Sequence, residues 1–183
     1  TKQSESTLVI CGHGMVSQRL LEALCRGPGR PFTRIVVFNG EITPAYNRVQ
    51  LSSLLAGETD ERSLALQPGD WFRDNAIEVH DGEPVTAINR QDRKVTTETG
   101  RVQSYTHLVL ATGSQPVKPG VPGEDLPGVM TFRDLNDTRT LIEATRRHCR
   151  AVVIGGGFLG LEAAEVSGNV VWPSPFCIEV ATC

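Results

Sequence analysis

The chain has 183 residues, 39% of them hydrophobic, which is enough apolar material for one or two packed domains. Its net charge of −3, with no block of like charge, excludes the basic face that nucleic acid or an anionic membrane surface selects. No apolar run reaches the ~18 residues that span a bilayer, and the opening residues TKQSEST are polar where a secretory leader is hydrophobic, so a cytoplasmic location is expected.

Leu8 to Cys11 is a short apolar run that meets glycine and then a helical pattern, with Leu20, Leu21 and Leu24 on one face. The run Gly27-Pro28-Gly29-Arg30-Pro31 ends that helix, and Arg34 to Phe38 reads as a second, buried parallel strand. Together they form one βαβ unit. Ala45 to Gly57 predicts a turn and a short helix, and Pro68 to Asn75 predicts another. Ile77 to His80 and Val85 to Ile88 are predicted strands, Lys94 to Tyr105 is a predicted hairpin turning at Thr99-Gly100, and His107 starts a strand that ends in the glycine turn at Gly113.

From Ser114 to Gly128 the chain carries Pro116, Pro119, Pro122 and Pro127 among glycines, too many breakers for a regular element, and is read as a linker. Helical character returns from Asp134 to Arg150, with Leu135, Leu141, Ile142 and Ala144 as a partial stripe, before a strand at Ala151 to Ile154. The following helix is expected to end near Val166, because Pro173 and Pro175 interrupt the tail. An irregular end is expected there. The boundaries expected are a first domain over 1–113, a linker over 114–133, and the start of a second domain over 134–183.

Two glycine fingerprints carry the chemistry. In Gly155-x-Gly157-x-x-Gly160 the first glycine permits a tight turn, the second admits a pyrophosphate to the backbone, and the third lets helix and strand pack closely. Phosphate then meets the free N–H groups of the helix N-terminus. The copy at Gly12-His13-Gly14-Met15-Val16-Ser17 has serine in third place. An acid about 20 or more positions on accepts hydrogen bonds from the adenosine ribose. Glu41 is the candidate, although Asn39-Gly40 holds the strand end itself. His13 occupies a variable fingerprint position, and Trp71 and Phe72 read as packing anchors rather than a stacking platform. The cysteines Cys11, Cys25, Cys149, Cys177 and Cys183 show no CxxC or metal-ligand spacing, and Cys11 reads as a buried, inert thiol.

The succession of these fingerprints with AYNRVQLSSLLAG, LVLATGSQP, TFRDLNDTR and AVVIGGGFLGLEAA resembles the flavin-dependent pyridine nucleotide oxidoreductases. Within them it is most similar to the flavoprotein portion of NAD(P)H-dependent nitrite reductase large subunits, from about Thr7 to Glu165. The resemblance implies an α/β fold: a Rossmann-like FAD-binding domain with an inserted, truncated second Rossmann unit for NAD(P)H. It implies that Gly12, Gly14, Met15 and Val16 cradle the FAD pyrophosphate, that Glu41 takes the ribose, and that Val85 meets the adenine through its backbone. Arg48 would approach the flavin and its phosphates, and Ala111, Thr112 and Gly113 would close over FAD. Arg133 would lie beside the dinucleotides. Gly155, Gly157, Phe158, Leu159 and Gly160 would hold NAD(P)H, with Glu162 near nicotinamide and flavin.

The departures from that pattern are informative. There is no cysteine pair beside the flavin loop, and LSSLL offers no cysteine, so thiol-based catalysis is not expected. Cysteines for an iron–sulfur cluster or siroheme are also lacking, and those groups would belong to a longer parent protein. An oxidoreductase module handing electrons to an acceptor domain or protein is expected, the acceptor being a nitrite-reducing centre or a ferredoxin or rubredoxin. The alternative is an inactive nucleotide-binding fragment, whose incomplete second unit leaves the Ala151 strand without partners and prone to self-association.

Overall fold

The computed structural model describes residues 6–118, 120–147, 151–154, 160–163 and 178–181. In chain order the elements are β1 (Thr7–Cys11), α1 (Met15–Arg26), β2 (Arg34–Phe38), α2 (Leu51–Leu55), α3 (Gly69–Asp74), β3 (Ile77–His80) and β4 (Val85–Asn89). These are followed by β5 (Lys94–Thr97), β6 (Val102–Ser104), β7 (His107–Leu110), α4 (Leu135–Arg147), β8 (Ala151–Ile154) and β9 (Ile178–Ala181). They form two units, Thr1–Tyr46 with Ala65–Gly113, and Asn47–Leu64 with Ser114–Cys183.

The first unit is built on a parallel sheet of order β3-β2-β1-β7. Its central strands are apolar without alternation because both faces are covered, as parallel sheets require. Leu8, Ile10, Ile35 and Val37 point to one face, where Leu21 of α1 and Phe72 of α3 close the core. Val9, Cys11, Val36 and Phe38 point to the other. There the cover is the antiparallel sheet β4-β5-β6, whose Val95 is fully buried against them. Each such aliphatic side chain stabilises the fold by about 1.5–3 kcal/mol through burial. The hairpin expected at Thr99-Gly100 is present between β5 and β6, with Gly100 at φ +84°, a conformation that favours glycine.

The two sheets are tied by Glu83, a buried carboxylate. Its oxygens accept hydrogen bonds from Thr99 Oγ1 and from Arg101 Nε at 3.0 Å, and His80 Nδ1 lies 3.5 Å away. Thr99 first, and then Arg101, hold the Glu83 carboxyl below the ordinary glutamate value. At Glu78 partial burial acts in the opposite sense, and hydrogen bonds from Arg34 and His80 outweigh it. A depressed folded value means that the native state binds fewer protons than the unfolded chain. The stability these groups contribute is therefore present above the ordinary value of 4.5 and lost as pH falls through the lower folded value. Urea midpoints of wild type and Glu83→Gln are expected to differ at pH 7 and to draw together as pH falls below the ordinary value of 4.5. A difference that does not shrink as pH falls contradicts this account.

In the second unit α2 packs on α4, burying Leu51, Leu54 and Leu55 together with Leu135 and Thr138. Leu141, Ile142 and Ala144 are half-buried. The start of α4 is set by polar residues: Asp134 Oδ1 accepts the Asp137 N–H at 2.8 Å, and Asp137 Oδ2 accepts the Arg133 N–H at 2.8 Å. This reciprocal pattern satisfies donors that a helix N-terminus leaves open. Among the described residues no helix or strand lies between β7 and α4.

One expectation is corrected. The tail is not wholly irregular, and β8 is not without a partner: β9 pairs with it in parallel, Ala151 opposite Ile178 through Ile154 opposite Ala181. Parallel pairing satisfies N–H and C=O groups on one edge of β8.

Candidate functional site

The chain order of the main sheet places β1 between β2 and β7, so successive connections leave β1 in opposite directions. At such a switch point a crevice opens beyond the carboxyl ends of the strands, and there nucleotides bind in open α/β sheets. Two of the sequence motifs meet there. Gly12 follows β1 and Ala111-Thr112-Gly113 follows β7, with the Ala111 N–H donating to Cys11 O at 2.8 Å and the Gly12 N–H to Phe38 O at 2.7 Å.

Gly12 has φ +99°, and a Cβ there would lie 2.2 Å from Ala111 O. Gly14 is the opposite case. A Cβ built on it meets nothing within 4 Å, which leaves open room before the helix. Gly14 caps α1 without a side-chain hydrogen bond, the first turn holds no acidic residue, and Met15 and Val16 are exposed. The first intrahelical bond runs from the Gln18 N–H to Gly14 O, so the N–H groups before it are open to an incoming anion. Ser17, in the place of the third glycine, is 1% exposed and turns its hydroxyl back to Gly14 O at 2.9 Å. The side chain packs within the turn and keeps clear of the open side. These features fit a pyrophosphate.

His13 is buried with its ring edge-on to Phe72. Its Nδ1 lies 4.0 Å from Asp81 Oδ1, beyond hydrogen-bond length. At Asp81, burial works to raise the carboxyl, and the neighbouring His13 and Asn39 side chains outweigh it, holding it below the usual aspartate range. Trp71 and Phe72 pack on the core as anchors. Cys11 is 2% exposed, and burial pushes its thiol up to about 11, which makes it inert at neutral pH.

Glu41 lies beyond β2, with its Oε2 accepting the Tyr46 hydroxyl at 2.9 Å. Val85 opens β4 opposite Thr97. In the second unit Arg48 Nη1 donates to Arg133 O at 3.3 Å, and the Arg133 guanidinium donates to Ser114 O at 3.3 Å and to Ser114 Oγ at 2.6 Å. Glu162, on helical backbone at 160–163, accepts the Ser52 hydroxyl at 2.7 Å. Gly155, Gly157, Phe158 and Leu159 lie outside the described residues. Tyr46, Ser52, Ser114 and Asn39 were not singled out from sequence. Two signals were available, the Asn39-Gly40 turn pair and the place of Tyr46 and Ser52 inside AYNRVQLSSLL.

The parallel sheet with a glycine turn at its switch point defines a Rossmann-type nucleotide-binding protein. Residues 7–170 match the pyridine nucleotide-disulphide oxidoreductase family, and the chain belongs to it. It is similar to nitrite reductase [NAD(P)H] of Bacillus subtilis, 38% identical over 94% of this chain and 22% of that protein. It is also similar to the assimilatory nitrate reductase electron transfer subunit of the same organism, 39% identical over 86% of the chain and 20% of that protein. Among solved structures, a ferredoxin reductase from Rhodopseudomonas palustris superposes with a TM-score of 0.85 at 32% identity, covering 96% of this chain and 42% of that one. The chain spans about a fifth of the length of these curated relatives. Among the described residues no helix is long and apolar enough to cross a membrane.

Proposed function

We propose that this chain binds FAD through its first unit and belongs to a flavoprotein that draws electrons from NAD(P)H and passes them to a separate acceptor. The observation that carries this reading is the meeting of Gly12, Gly14 and the Ala111-Thr112-Gly113 turn beyond β1 and β7, beside an uncapped helix N-terminus with no acid in its first turn. When bound, FAD supplies hydride acceptance and onward electron transfer, and the protein supplies binding and electrostatics.

In this reading the N–H groups at Gly14, Met15 and Val16 bind the pyrophosphate, Glu41 binds the adenosine ribose, and the Val85 backbone meets the adenine. Arg48 and Arg133, each held by hydrogen bonds within the second unit, supply fixed positive charge to the dinucleotides. Gly155 to Gly160 bind the second nucleotide, and Glu162, anchored by Ser52, serves near the nicotinamide. The acceptor is a nitrite-reducing centre carrying siroheme and an iron–sulfur cluster in a longer parent. The names of the nitrite and nitrate reductase relatives support that choice, and that of the ferredoxin reductase supports a small iron–sulfur protein instead.

Titrating the purified chain with FAD and then adding NAD(P)H without oxygen tests the proposal. Flavin absorbance that stays with the protein and is bleached by NAD(P)H is the expected result. A colourless chain that takes up no FAD overturns it, and uptake without bleaching reduces the chain to a binding fragment.

A further inference from the structure

We infer that Tyr46 is the positioning residue for Glu41, holding its carboxylate toward the adenosine ribose of a dinucleotide bound in the first unit; the inference rests on the FAD reading above. Asn39, directly at the end of β2, is not available for that task. It is 4% exposed, and its amide donates to Thr43 O at 2.9 Å and to Asp81 Oδ1 at 2.8 Å. Its Oδ1 accepts the Glu41 N–H at 3.1 Å, an Asx turn that carries the chain around to present Glu41. The Glu41 carbonyl accepts the Gly82 N–H at 2.9 Å, which fixes the loop to the end of β3. Asn39 thus builds the turn and Glu41 is the carboxylate it offers.

A half-buried glutamate keeps several rotamers, and ordering it on binding costs affinity. Tyr46 removes that freedom in advance. Tyr46 is 4% exposed, its backbone is anchored by an antiparallel bridge to Ala65, and its hydroxyl donates to Glu41 Oε2 at 2.9 Å. The bond from Tyr46 occupies one of a carboxylate's about four lone-pair sites.

The probes are ADP and 2′,3′-dideoxyadenosine diphosphate, titrated into the full chain alongside FAD. Wild type is expected to prefer ADP. Tyr46→Phe, which keeps the ring, is expected to weaken ADP about tenfold, the scale of one hydrogen bond to a charged group, and to leave the dideoxy analogue and the thermal midpoint unchanged. Glu41→Ala is expected to do the same, with Tyr46→Phe adding nothing in that background. The inference is overturned if Tyr46→Phe keeps the full preference for ADP, if it weakens both nucleotides alike, or if wild type does not discriminate between them. A wild type that takes up neither FAD nor ADP overturns the cofactor reading itself and this inference with it; the outcomes before it leave that reading intact.

Discussion

Gly12→Ala is expected to destabilise the chain by about 2–6 kcal/mol, adding the roughly 1–3 kcal/mol of a strained backbone to a similar cost of overpacking. The physical reason lies in what the added methyl meets. It would sit 2.2 Å from Ala111 O, 2.6 Å from Ala111 C and 2.9 Å from Thr112 Cα, on a residue whose φ of +99° already disfavours a side chain. All three are backbone atoms, so no rotamer change relieves them. The strand they follow is in register with β1, Val9 opposite Leu108 and Cys11 opposite Leu110, so β7 can yield only by giving up that pairing. Urea unfolding followed by circular dichroism measures the loss. A midpoint unchanged from wild type would refute the close approach of β1 and β7, and FAD uptake by this variant is expected to fail with the fold of the turn.

Gly14→Ala is expected to separate binding from folding. Its φ of −99° and ψ of −168° are extended values open to any residue, and the new Cβ meets nothing within 4 Å. A small gain from the stiffer unfolded chain offsets the poorer capping by alanine, so stability should stay within about 0.5 kcal/mol of wild type. FAD affinity should nevertheless fall by about tenfold or more, because the methyl stands where the pyrophosphate must approach the backbone. Flavin fluorescence quenching on titration reads the affinity, and a thermal scan of the same samples reads the fold. Wild-type affinity in this variant would remove Gly14 from the phosphate cradle. The pair of variants distinguishes the two glycines by function: one allows two strands to meet, and the other leaves space for a ligand.

The network around Asn39 shows where the local code stops. Asn39-Gly40 stands at the end of the second strand in the sequence, and the structure shows Asn39 forming an Asx turn. The partner that spends its amide, Asp81, is 42 positions away, brought in because β3 lies beside β2. Nothing in the periodicity of either strand announces that pairing. The tail makes the same point from the other direction. The pairing of β9 with β8 depends on a neighbour 27 residues back in register, which composition does not encode.

What the sequence by itself determined is the set of elements whose cause is local. Apolar runs bounded by glycine and proline specify β1, β2 and β3, a helical stripe specifies α1, and the glycine fingerprint at Gly12 specifies the strand-to-helix turn between β1 and α1. These signals act within a few residues, through backbone sterics and the periods of strand and helix. Tertiary structure alone decided the meetings across the chain: Ala111 against Gly12, Asp81 against Asn39, and Ser52 against Glu162, 110 residues apart. Such contacts exist only once the strands have chosen their neighbours, since hydrogen bonds and close packing are set by distance in space rather than by separation along the chain.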